Sequence, residues 1–113
     1  MKFFMISTPD EKNANKPPSP EMMAEMAKFI DEQKKAGTLI ATGAMLPVSM
    51  GGARVKSENG KLTVLDGPFT ESKELVAGWA IIEVPTLADA IESSRRFYKI
   101  VGDGAGEIRQ IMD

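Results

Sequence analysis

Several short segments of this chain are apolar on both faces, and this constrains the fold more than any other feature. Successive side chains of a strand point to opposite sides of a sheet, so a sheet covered by helices on one side only should alternate apolar and polar residues. The run from Val76 to Val84 does not alternate: Val76, Gly78, Ala80, Ile82 and Val84 share one face, and Ala77, Trp79, Ile81 and Glu83 share the other. Lys2 to Ser7 places Phe4 and Ile6 opposite Phe3 and Met5, and Leu39 to Leu46 places Leu39, Ala41 and Met45 opposite Ile40, Ala44 and Leu46. A sheet made of such strands needs a cover on each side.

The chain offers helices for one side only. Ser19 followed by Pro20 is a helix start, and Met22, Met26, Phe29, Ile30 and Gln33 form a stripe at helical spacing that runs to about Ala36, with Gly37 as the C-terminal cap. Thr86 with Asp89 resembles a capping box, and Leu87, Ala90, Ile91, Ser94, Phe97 and Tyr98 give a second amphipathic helix. Between them, Ala53 to Ser57 and Lys61 to Leu65 flank Asn59 and Gly60, a strong hairpin signal. Thr8 to Ser19 is polar and proline-rich and reads as a surface loop or lid. Gly102 to Gly106 reads as a turn before a last strand from Glu107 to Met112. The expected fold is therefore one α+β domain over residues 1–113: a ferredoxin-like antiparallel sheet with two helices on one face, plus a small β-hairpin. Its uncovered face should pair with a second copy, giving a homodimer packed sheet to sheet, and the cleft between the sheets becomes the expected ligand site.

Composition narrows the chemistry. The 113 residues are 42% apolar and 27% charged, enough for a buried core. There is no cysteine and no histidine, which removes thiol and imidazole chemistry, disulfides and thiolate metal sites. A formal net charge of -2 with scattered basic residues argues against a nucleic-acid partner. No apolar run approaches the roughly 20 residues that span a bilayer, and no signal-peptide pattern opens the chain, so no membrane association and a cytoplasmic location are expected. No cofactor or metal is expected either. The glycines from Gly102 to Gly106 follow a helix and precede a strand, the reverse of a dinucleotide fingerprint. A metal site would have to be built from carboxylates alone; Asp66, Glu71 and Glu83 could make one for a hard cation, but their spacing does not demand it.

The densest polar constellation runs from Asp66 to Glu74, DGPFTESKE. Spacing alone is satisfied by a turn followed by a capped helical turn. This run, followed by AGW, with an Arg-Val pair upstream and GEIRQIM at the end, resembles the DGPF-type members of the YCII-related family. The likeness extends from the first strand to the last. Ala77 stands where a glycine is usual, and Gln110 where proline commonly follows the final arginine. The resemblance implies a dimeric α+β barrel of ferredoxin-like subunits. Some members carry a His and Asp pair in the cleft, a mechanism excluded here by the lack of histidine. DGPF members are often encoded beside extracytoplasmic-function sigma factors, so the resemblance also implies the alternative of a non-catalytic dimeric regulatory module with a protein partner.

If chemistry occurs, Asp66 is the expected acid or base, because a carboxylate desolvated beside an apolar cleft can have its pKa raised into the working range. Glu71 is its expected partner. Arg54 and Lys73 are placed to hold a small polar or anionic metabolite, Trp79 to stack on it and Glu83 to line the cleft. The plainer reading of Arg54, Lys73, Glu71 and Glu74 is a set of exposed ion pairs worth about 0–1 kcal/mol each.

Overall fold

The computed structural model describes residues 1–10, 18–65 and 77–112. Its elements are β1 (Lys2–Pro9), α1 (Pro20–Lys35), β2 (Leu39–Met45), β3 (Arg54–Glu58), β4 (Lys61–Leu65), β5 (Ala77–Glu83), α2 (Leu87–Val101) and β6 (Gly104–Gln110). Four strands form one antiparallel sheet in the order β2-β5-β1-β6, and β3 and β4 form a separate hairpin. The β1-α1-β2 and β5-α2-β6 units each leave a gap filled by a strand of the other, the interleaved pattern of the ferredoxin-like α+β fold.

Both helices begin where their caps dictate. Ser19 Oγ accepts the Met22 amide at 3.1 Å, with Pro20 in the first turn where its missing N–H costs nothing. Thr86 Oγ1 accepts the Asp89 amide at 3.2 Å and donates to the Asp89 carboxylate at 2.8 Å. The inward stripe of α1 is Met22, Met26, Phe29, Ile30 and Gln33, as its periodicity predicts. In α2 the half-buried stripe runs through Ser93, Ser94, Phe97 and Tyr98. Leu87 and Ile91, expected to face inward, are 50% and 45% exposed because the helix turns its Ala90–Ser94 flank to the sheet.

Among the described residues the buried core is small and lies at one end of the helix-covered face. Phe3 and Ile82 sit opposite each other in the β1–β5 register, and Ala90 of α2 closes over them; all three are buried. Met5, Leu39, Ala80, Val84 and Ile108 pack around this trio. A side chain such as Phe3 contributes about 1.5–3 kcal/mol on full burial.

Two strand ends and one register depart most from expectation. β1 continues through Thr8 to Pro9, because Ala105 and Gly104 of β6 pair with these residues. β6 accordingly starts at Gly104, so the glycines expected in a turn lie in the sheet. In β2 a bulge after Leu39 sends Leu39 and Ala41 to opposite faces: Leu39 opposes Ile82 and Ala41 opposes Ile81, with Ile40 the extra residue. The rest of the face assignment holds, with Phe4, Ile6, Trp79 and Ile81 together on the side away from the helices. The hairpin turn is as expected: Asn59 and Gly60 have φ of 52° and 76°, the paired positive values of a type I′ turn. Residues 11–17, most of the expected lid, lie outside the described residues.

With so little fully buried, the trio should dominate stability. Phe3→Ala should lower the unfolding free energy by about 3–5 kcal/mol, read from the urea midpoint at unchanged slope. A loss below about 1 kcal/mol would place the core elsewhere.

Candidate functional site

Across the helix-covered face the strand register arranges side chains in rows, and their size falls from one end to the other. The first row holds Leu39, Ile82 and Phe3, and the next holds Thr42, Ala80, Met5 and Ile108. The third holds Ala44, Gly78, Ser7 and Gly106, with almost no side-chain volume. The large rows meet the helices and make the core. The small row cannot, and a cavity of about 430 Å³ opens between this floor and the inward stripes of α1 and α2. Its lining is mainly apolar, drawn from Met26, Phe29 and Ile30 of α1, Phe97 of α2, and Met5 and Ala80 of the sheet. The two helices meet above it through Arg96, whose guanidinium lies 4.9 Å from the Phe29 ring centre and 3.5 Å from the Glu32 carboxylate.

Tyr98 is the side chain that reaches the floor. Its hydroxyl and Ser7 Oγ share a hydrogen bond of 2.8 Å. The seat for its ring is cut by two glycines of β6. A Cβ on Gly104 would stand 3.3 Å from the ring, and one on Gly106 would stand 2.6 Å from the phenolic oxygen and 2.5 Å from the Ile6 carbonyl. Phe97 packs edge-on against Tyr98 with ring centres 5.2 Å apart. Gly78 differs: a Cβ there would meet nothing within 4 Å, since it would project into the cavity.

The residues singled out from the sequence are distributed differently. Trp79 lies on β5, its indole spread over Gly43, where a Cβ would come 2.9 Å from the ring nitrogen. It stacks on Phe4 with ring centres 6.3 Å apart and planes 12° from parallel. Thr42 Oγ1 donates to the Trp79 carbonyl at 2.8 Å, so Trp79 borders the cavity while its ring belongs to the open face. Glu83 is exposed at the end of β5 opposite Lys2, four residues and roughly 13 Å along the strand from Trp79. Arg54 opens β3 on the hairpin, opposite Leu65, and is not among the residues lining the cavity. Asp66, Glu71 and Lys73 lie outside the described residues.

Ser7, Tyr98, Gln33 and the glycine floor were not singled out as site residues. The signal for them was present in two places: a serine following Phe3 and Met5 on one strand face, and glycines two apart, Gly104 and Gly106, which share a strand face. Among the described residues, no group of three or more acidic side chains is placed to hold a metal ion. No described helix is long and apolar enough to cross a membrane.

A family model, that of the YCII-related domain, matches residues 1–113. No curated protein matches the chain.

The two glycines of the floor should respond oppositely to an added methyl. Gly106→Ala should cost about 1–3 kcal/mol by displacing Tyr98 and the Ile6 carbonyl, whereas Gly78→Ala should be neutral or stabilising. Denaturant titration of both variants checks this; equal losses would contradict the open floor at Gly78.

Proposed function

The chain belongs to the YCII-related domain family, and we propose that it acts as a ligand-binding member, holding a small, mainly apolar molecule between its helices and its sheet. The observation that carries this reading is the cavity itself. With three buried apolar residues among those described, about 430 Å³ stays open along the inward stripes, within the range of about 300–1,000 Å³ usual for ligand pockets. Larger residues at Gly78 and Ala80 would narrow that space, so the opening depends in part on side-chain choice at the floor. The lining favours a less charged molecule than the polar or anionic metabolite expected from the sequence. Any acid–base chemistry on the bound molecule is assigned to Asp66, with Glu71, Lys73 and Arg54 as its polar surroundings, an assignment supported by the DGPF run alone.

The second part of the reading is a homodimer of the DGPF type, closed into an α+β barrel. Phe4, Ile6, Trp79 and Ile81 remain half-exposed on the open sheet face, with Met45 and Ile40 exposed at its edge. A contiguous apolar surface of this kind favours burial against a self-complementary copy.

Gly78→Val tests the cavity. It should fold with stability equal to or above wild type while weakening ligand binding, since its methyls would project from the floor into the site. A thermal-shift screen of small alcohols, ketones and aromatics should give hits that raise the wild-type melting temperature by roughly 10 °C at 100 times Kd and by clearly less in the variant at the same concentration. A flat wild-type screen would sink the reading. For the dimer, Ile81→Lys should convert a sedimenting dimer to monomer, because it would put a charge into the apolar face that each copy buries; a monomeric wild type at tens of micromolar would remove that part.

A further inference from the structure

The polar groups along the cavity are not equivalent. The Thr42 hydroxyl is committed to the Trp79 carbonyl. Glu107 lies one residue beyond Gly106 on β6, so strand alternation turns its side chain toward the open face. No basic residue is among the described lining residues, so nothing there balances an anion. Gln33 of α1 and Ser93 and Ser94 of α2 line the cavity from the helices; Ser7 and Tyr98 form a pair across it, one rising from the floor and the other descending from α2, joined at 2.8 Å. Two hydroxyls sharing one hydrogen bond keep one O–H donor and several lone pairs for a third group. Their position is set in advance: strand pairing holds Ser7 between Gly78 and Gly106, and the glycine seat fixes the ring of Tyr98.

We infer that the Ser7–Tyr98 pair is the polar anchor of the site and recognises one hydroxyl or carbonyl oxygen on an otherwise apolar ligand. This rests on the cavity being the ligand site. The remaining O–H donates to a carbonyl oxygen, or a ligand hydroxyl donates to the Tyr98 or Ser7 oxygen, while the apolar body lies against Met5, Met26, Phe29 and Phe97. An oxygen placed against the apolar walls at Met5, Met26, Phe29 or Phe97 would lose its water contacts without replacement, so the pair sets orientation as well as preference.

Two probes of matched size separate this from simple apolar filling: 2-naphthol and 2-methylnaphthalene, titrated by two-dimensional NMR into wild type, Tyr98→Phe and Ser7→Ala. The readout is the ratio of the two dissociation constants, which cancels their different hydration. In Tyr98→Phe the ratio should move roughly fivefold to tenfold against 2-naphthol, while 2-methylnaphthalene binds as it does to wild type. Ser7→Ala should move it in the same direction and serves alone if Tyr98→Phe does not fold. A ratio unchanged in a folded variant, with both probes binding, overturns the anchor and leaves the cavity reading standing. Failure of both probes to bind wild type overturns the cavity reading and the anchor together.

Discussion

Ala90 is the point at which a helix comes down onto the sheet, and the remaining architecture follows from that contact. A methyl side chain lets α2 approach closely enough to bury Phe3 and Ile82, the register pair at the centre of the large-residue end. Tyr98 lies eight residues on, roughly 12 Å along the helix axis. There the strands offer Gly78, Ser7 and Gly106 in place of aliphatic side chains, and the Tyr98 side chain spans the space to reach Ser7. One helix is thus packed by dispersion and apolar burial at its start and tethered by a hydroxyl pair near its end. The cavity is what lies between.

This division has a thermodynamic consequence. Stability comes mainly from a compact trio and the ladder of β1, β5 and β6, while the cavity walls lack the contacts a filled core would provide. The Arg96 bridge to Phe29 and Glu32 keeps the helices in register above the opening, but its charged groups are half-exposed and the ion pair contributes little, about 0–1 kcal/mol. A ligand would supply the missing contacts and stabilise the domain by mass action.

The two faces of the sheet carry different tasks. The helix side sorts its residues by size, from Phe3 to glycine, whereas the open side carries an aromatic stack of Phe4 and Trp79 laid over Gly43. That stack packs the large Trp79 side chain against its neighbour on the same face. Trp79 therefore contributes to the proposed dimer surface through its ring and to the cavity wall through the strand that carries it.

The sequence by itself determined the element order, the α+β class, both helix caps, the inward stripe of α1 and the type I′ turn at Asn59 and Gly60. These are local properties, set by hydrogen bonds and steric limits within a few residues. It also assigned the two faces of β1 and β5, because alternation is a property of a single strand. What only the tertiary structure decided is which small residues stand side by side. Ser7, Gly78 and Gly106 are far apart in the chain and become one floor only through register. The bulge after Leu39 escaped the pattern for the same reason: a bulge is defined against a partner strand, and nothing within β2 marks it. Gly104 and Gly106 read as a turn because glycine destabilises an isolated strand; they belong in one here because Tyr98 needs the volume they leave empty.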